Sequence, residues 1–242
     1  MRCPPPAKDP RYTRQIPIIG EEGQERLSKS KVAIVGLGGL GSITSQYLAA
    51  AGVGKLIIID SDVVEDNNLN RQLLYDTPSI GLPKAPIAAR RLKSLNPCTE
   101  IEWYQGKLTK DNIDEVIGEV NLILDCLDNW ETRLILDDYS WRKGIPLLHA
   151  AVEQYYGQIY LSIPGKTACL RCIAPRQDAR RQGGIPVIGA GVGVIASLQA
   201  LIAIRYLAGI YKESGTLILI DSKRGSIDKF RIDPSVCQCS TL

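Results

Sequence analysis

Six residues, Gly36-Leu37-Gly38-Gly39-Leu40-Gly41, follow the compact apolar run Lys31–Val35 and precede a stretch of helix-forming composition over 42–51 that stops at Gly52. A strand that turns through Gly-x-Gly-x-x-Gly into a helix can hold phosphate. Gly36, Gly38 and Gly41 let the backbone turn tightly and approach a ligand, and the first helical N–H groups are unpaired and face it. Asp60 closes the next apolar run nineteen residues after Gly41, where a carboxylate can accept from ribose hydroxyls. This pattern specifies a nucleotide without saying which, and a nicotinamide-dependent oxidoreductase is the first rival.

The residues that follow separate the two. Asp60-x-Asp62 leads into Asn67-Asn68-Leu69-Asn70-Arg71-Gln72 and then Gly81-x-Pro83-Lys84. Arg71 and Lys84 fall C-terminal to strands, where ligands of such sheets bind. Lys84 stands near the start of a proline-led helix, an unfavourable place for a cation against the macrodipole. Two cations beside a phosphate turn suit a triphosphate better than a dinucleotide. Asp125-Cys126-Leu127-Asp128-Asn129 ends another apolar run, so Asp128 projects into the same crevice. A carboxylate facing phosphate oxygens needs a cation between them, and Mg²⁺ takes one or two carboxylates plus phosphates. The competing role for Asp128 is a cap on the following helix.

Apolar strand runs alternate with helical patterns from Lys31 to about residue 150. Helices are expected at 42–51, 83–95, 111–117 and 130–143, with strands at 31–35, 56–59, 100–104, 122–125 and 146–150. That rhythm predicts a doubly wound α/β fold, Rossmann-like, with a mostly parallel sheet. After about residue 152 it changes: 155–162 alternates, and 216–221 with 226–232 reads as a hairpin, so antiparallel strands extend the sheet. The expected organisation is an N-terminal arm and helix (1–30), a nucleotide-binding lobe (31–152) and a mostly antiparallel lobe (153–242). Residues 1–8 read as a disordered proline-rich end. The uncharged segment 187–204 approaches membrane-spanning length, but it is rich in Gly and Ala and Arg205 follows it, so it is expected to be a buried helix.

The net charge is only +3 over 242 residues, which gives no reason to expect a nucleic-acid partner. With no secretory leader at Met1, the expected compartment is the cytosol, and no membrane association is expected. Of seven cysteines, Cys3, Cys98 and Cys126 stand alone, whereas Cys169/Cys172 and Cys237/Cys239 form close pairs. Close pairs in such a chain point to metal rather than disulfides. His149, the single histidine, is expected to be packed rather than catalytic.

Together the motifs Arg11-Tyr12-x-Arg14-Gln15, Gly36-x-Gly38-Gly39-Leu40-Gly41, Asn68-Leu69-x-Arg71-Gln72, Gly81-x-Pro83-Lys84, Asp125-Cys126-x-Asp128-Asn129 and Cys169-x-x-Cys172 resemble the MoeB/ThiF/HesA family, over nearly the whole chain. The resemblance implies ATP held by Gly39, Asp60, Asn68, Arg71 and Lys84, Mg²⁺ on Asp128, and a structural zinc. It also implies a homodimer in which Arg14 enters the neighbour's site. The implied activity is adenylation of the C-terminal Gly-Gly carboxylate of a ubiquitin-like sulfur-carrier protein, for molybdopterin, thiamine or tRNA thiolation. Adenylation of a peptide or modified tRNA, and a non-catalytic partner subunit, are the alternatives. Two features depart from the family pattern. The second thiol pair is Cys237-Gln238-Cys239 rather than Cys-x-x-Cys. The loop 174–184, where several relatives carry a cysteine, has none, and Gln182 falls near that position. No sulfurtransferase-like domain follows, so a separate sulfur donor is expected.

Overall fold

Eight strands form one sheet: β1 (Lys31–Val35), β2 (Lys55–Asp60), β3 (Glu100–Gln105), β4 (Leu122–Asp125), β5 (Leu147–Glu153), β6 (Tyr156–Ser162), β7 (Thr216–Asp221) and β8 (Ser226–Arg231). Their spatial order is β3-β2-β1-β4-β5-β6-β7-β8 in this computed structural model, which describes residues 3–173 and 185–237. β3, β2, β1, β4 and β5 pair in parallel, and β5 through β8 pair antiparallel. The fold is therefore the Rossmann-like doubly wound sheet expected, extended by antiparallel strands. The helices are α1 (Ile16–Lys29), α2 (Gly39–Ala51), α3 (Lys84–Leu95), α4 (Ile113–Ile117), α5 (Trp130–Lys143), α6 (Leu170–Ile173) and α7 (Gly189–Leu207).

Residue alternation explains the layers. Val32 and Ile34 point into one core with Leu27, Leu48, Leu92 and Ile202, so α1, α2, α3 and α7 cover that face. Ala33 and Val35 point into the other with Ile113, Leu136, Tyr139 and Leu170, from α4, α5 and α6. A parallel sheet covered on both sides needs apolar residues at successive positions, which is why β1 and β4 read as unbroken runs. β8 is mostly exposed and carries Asp228, Lys229 and Arg231, charges that blunt an open edge.

α7 packs on α2, β5 and β6. Its length and mean hydropathy of 1.6 satisfy the composition of a membrane span, yet 44% of that window is buried within the chain. It serves here as a core helix. The N-terminal segment departs from expectation. Residues Pro6–Lys8 and Pro10–Tyr12 form short 3-10 turns, and Cys3 is disulfide-bonded to Cys98 across 95 residues, with Cα atoms 5.6 Å apart. Nothing in local spacing announces a pair so distant in sequence, so each of the two cysteines looks solitary in the sequence. Tyr12 is buried, Asn96 Nδ2 donates to its hydroxyl at 2.9 Å, and Asp9 accepts from the Arg11 backbone and guanidinium. These contacts seat the arm.

Candidate nucleotide-binding site

β1, β2 and β4 all end on the same edge of the sheet, and the strand order reverses between β1 and β4, where crevices form in such folds. Gly36 leaves β1 at φ +92°, and a Cβ there would lie 2.7 Å from the Cys126 carbonyl oxygen. A Cβ on Gly41 would lie 1.8 Å from the Gly36 oxygen. The first turn of α2 thus rests directly on the glycine turn, and its first N–H groups have no partner within the helix. Asp60 is buried, accepting from Leu37 N at 2.6 Å and Asp62 N at 2.8 Å. Burial pushes its carboxyl above the ordinary range, against the opposing pull of those N–H groups and Lys84. Its first task is to hold the turn, and each oxygen keeps a further lone pair for a ribose hydroxyl. Tyr75 adds a donor to the Leu37 carbonyl at 3.0 Å.

The cations arrive from the segment between β2 and α3. Asn68 is buried and its Oδ1 accepts from Glu65 N at 3.1 Å, closing a short 3-10 turn over Asp66–Asn68. Arg71 Nη1 then donates to the Asn67 carbonyl at 2.7 Å and Asn70 Oδ1 at 3.1 Å. The stem of Arg71 runs past α2, its Cγ 3.7 Å from where a Gly39 Cβ would stand. Gln72 lies beside Gly38, and its buried Oε1 has no partner among the described residues. That acceptor suits a hydroxyl or amine donor. Lys84 is only 4% exposed at the start of α3, and its Nζ meets Asp62 Oδ2 at 3.2 Å, on a carboxylate that faces solvent. The ion pair explains how a cation is tolerated at a helix N-terminus. A nucleoside triphosphate fits a cradle of this kind: helix N–H groups without an intrahelical partner, two cations and an unsatisfied acceptor.

The other expected members, Arg14 apart, surround this cradle. Leu69 packs against the core, while exposed Asn67 and Asn70 serve as acceptors for Arg71. Asn129 caps α5, its Oδ1 accepting from Thr132 N at 3.0 Å, which leaves Asp128 free of the capping role. Asp128 is exposed at the end of β4, the neighbour of β1. Arg14 does not reach this site. It is exposed just before α1, and the next residue, Gln15, donates to the Ala51 carbonyl at the far end of α2 from the glycine turn. A 13-residue helix spans roughly 20 Å at about 1.5 Å per residue.

On the other side of the fold, the Sγ atoms of Cys169, Cys172 and Cys237 all lie within 4.8 Å of one another. Thiolates on a tetrahedral zinc stand about 3.8 Å apart for Zn–S bonds of about 2.3 Å, so the cluster fits such an ion. Cys239 and the loop residues Gln177, Asp178, Ala179, Arg180, Arg181 and Gln182 lie outside the described residues.

Residues 12–241 match the ThiF family. This chain belongs to the ThiF family. The sulfur carrier protein adenylyltransferase of Thermus thermophilus is 39% identical over 236 residues, covering 92% of this chain and 86% of that protein. The sulfur carrier protein ThiS adenylyltransferase of Escherichia coli is 38% identical over 221 residues, covering 88% and 87%. Among solved structures, the microcin C7 biosynthetic enzyme MccB in complex with N-formylated MccA superposes with a TM-score of 0.87 at 23% identity, covering 97% of this chain and 76% of that one. That last likeness concerns the fold.

Beneath the crevice of this ThiF-family chain lies a buried polar network that sequence reading missed. Asp125 is fully buried, its Oδ2 accepting from Arg133 Nε at 2.8 Å and His149 Nδ1 at 2.6 Å. Burial works against the Asp125 carboxylate, yet the Arg133 guanidinium, His149 and the Leu127 N–H together hold its carboxyl below the ordinary range. Burial also lowers the proton affinity of His149. With the Gln158 amide nitrogen 3.0 Å from Nε2, the neutral imidazole carries its proton on Nδ1. Gln199 of α7 donates to the Asp125 and Leu148 carbonyls and accepts from Thr44 and from Cys126. The Cys126 thiol is buried on the opposite side of β4 from Asp125, and burial raises its pKa strongly. That disqualifies it as a thiolate nucleophile. One signal was present in the sequence: Gln199 lies in a largely apolar helix, and a buried amide there must find partners.

Proposed function

We propose that this chain adenylates the C-terminal Gly-Gly carboxylate of a ubiquitin-like sulfur-carrier protein with ATP and Mg²⁺, releasing pyrophosphate. The reading rests on one combination: a phosphate turn flanked by Arg71 and buried Lys84, in a chain 39% identical over 92% of its length to a sulfur carrier protein adenylyltransferase. The carboxylate is already ionised near neutral pH, so no general base is required. The barrier is electrostatic, an anion approaching an anionic phosphate. Catalysis then consists of positioning and charge neutralisation. Arg71, Lys84 and the α2 N–H groups face the phosphates, and Asp128 would hold Mg²⁺, which would supply further neutralising charge. The product is an acyl-adenylate.

Arg14 stands about a helix length from its own turn, so it serves the site of a second copy in a homodimer. Ile18, Tyr47, Val194 and Leu201 are exposed on α1, α2 and α7, helices that pack on one another, and they supply an apolar surface for that copy. Zinc on Cys169, Cys172, Cys237 and Cys239 is structural. The loop near Gln182 offers no thiol and Cys126 is inert, so sulfur comes from a separate donor attacking the adenylate. The enzyme acts in the cytosol. ATP–pyrophosphate exchange tests the reading: it is expected only with a carrier ending in Gly-Gly, and no exchange with any such carrier would count against it.

A further inference from the structure

Arg133 sits in the first turn of α5 and looks in sequence like one of many solvated helix charges. Its side chain is only 5% exposed. The planar guanidinium lies 5.0 Å from the Trp130 ring and bridges two groups: Nε donates to Asp125 Oδ2 at 2.8 Å, and Nη2 donates to the Leu127 carbonyl. The second oxygen of Asp125 accepts from Leu127 N at 3.0 Å. Both backbone groups of Leu127 are therefore fixed to one carboxylate–guanidinium pair. The next residue is Asp128, exposed, and after it Asn129 is pinned as the cap of α5. His149 holds Asp125 from the sheet side at 2.6 Å. Asp128 is thus the one unpinned side chain between two anchored residues.

A buried ion pair contributes little net stability compared with well-packed apolar residues, and α5 already has its cap. What the guanidinium fork adds, and an apolar side chain could not, is simultaneous hold on a carboxylate and a carbonyl. We propose that Arg133 is a positioning residue for Asp128, acting through Asp125 and the Leu127 peptide without touching nucleotide or metal. The inference rests on the reading of Asp128 as the carboxylate that holds the nucleotide-bound metal.

Mn²⁺ in place of Mg²⁺, with a non-hydrolysable ATP analogue and the full chain, gives a direct probe by electron paramagnetic resonance. Arg133→Lys keeps the charge but loses the fork. It is expected to weaken Mn²⁺ binding about tenfold, the scale seen when a partner behind a metal ligand is lost, and to leave metal-free analogue binding unchanged. Exchange of the Leu127 amide should quicken in the same variant. Asp128→Asn should also weaken Mn²⁺, and the double variant should be no weaker than Asp128→Asn alone, because the two act as one unit. Should Asp128→Asn weaken Mn²⁺ while a folded Arg133→Lys protein binds it normally, the positioning role falls and the reading of Asp128 stands. Losses that multiply in the double variant overturn the role equally. Unchanged Mn²⁺ affinity in Asp128→Asn brings down both. If Arg133→Lys does not fold, Asp125→Asn with Arg133→Gln removes the pair without leaving a buried charge, and the same comparisons decide.

Discussion

Gly41→Ala puts the phosphate turn under direct test. The added Cβ would stand 1.8 Å from the Gly36 oxygen and 2.9 Å from its carbonyl carbon, where ordinary contact begins at 3.4 Å. Helix α2 and the turn must part by about 1.6 Å (3.4 less 1.8), a shift the backbone must absorb because no flexible side chain is involved. Overpacking of this sort costs about 1–3 kcal/mol, while alanine gains about 1 kcal/mol over glycine within a helix. The net loss is about 0–2 kcal/mol, and Tm should fall by at most about 8 °C for a chain of this size. Ligand binding suffers more. An N–H···O contact lengthened from about 2.9 Å by that amount is no longer a hydrogen bond, and one bond to a charged group is worth about 1.5–3 kcal/mol. Calorimetric titration with a non-hydrolysable ATP analogue should therefore show affinity reduced by about tenfold or more, in a protein that thermal melting shows to be folded. Binding at wild-type strength in folded Gly41→Ala would refute the assignment of this turn as the phosphate site.

Acidification should destabilise the protein through His149. Its folded-state proton affinity is depressed below the ordinary value of 6.5 by burial, so the unfolded chain takes up a proton first and stability falls as pH drops below about 6.5. It is the only histidine, so His149→Gln should flatten the Tm–pH curve between about pH 6.5 and 5, and an unchanged slope would contradict the buried neutral imidazole. Asp125 adds a loss only below the ordinary carboxylate range, while Asp60 and Asp137, pushed up by burial, act in the opposite sense in both proteins. Cys172→Ser should lower zinc content and Tm together, since a structural metal contributes its binding energy to folding; zinc-free wild-type protein prepared without chelator would remove the ion. Arg14→Ala and Asp128→Ala dimers should each be inactive, and re-mixing them should restore about a quarter of the activity, because half of the dimers would hold one intact composite site. Absence of recovery despite proven subunit exchange would place Arg14 outside the partner's site.

The parallel half of the sheet was readable because its signals are local. Lys31–Val35, Leu122–Asp125 and Trp130–Lys143 form the elements their patterning predicts: the two strands are covered on both faces and so read as mostly continuous apolar runs, and the helix is bounded by its Asn129 cap and Gly144. The glycine turn was readable for the same reason, since it follows a predicted strand and opens a predicted helix, and Lys84 stands, as its proline-led start suggests, at the head of α3. What escaped depends on contacts distant in sequence. Cys3 meets Cys98 only after the arm folds back over the chain. Arg133 carries no sign of burial in its own helix, and only the ends of β4 and β5 show that its partner is a buried carboxylate. Asp60 was expected at the ribose, but its two oxygens first receive the N–H groups of Leu37 and Asp62, a use of the acid that no spacing rule reveals.

The central claim is that a carrier's terminal carboxylate attacks the α-phosphorus of ATP, and oxygen isotope transfer measures that event. A Gly-Gly-ended carrier labelled with ¹⁸O in its C-terminal carboxylate is incubated with this enzyme, ATP and Mg²⁺, and the adenylate is then cleaved at its carbonyl by hydroxylamine. The account predicts ¹⁸O in the AMP released and a hydroxamate at the carrier's C-terminus. AMP without label, or a carrier recovered unmodified while ATP is consumed, would contradict it.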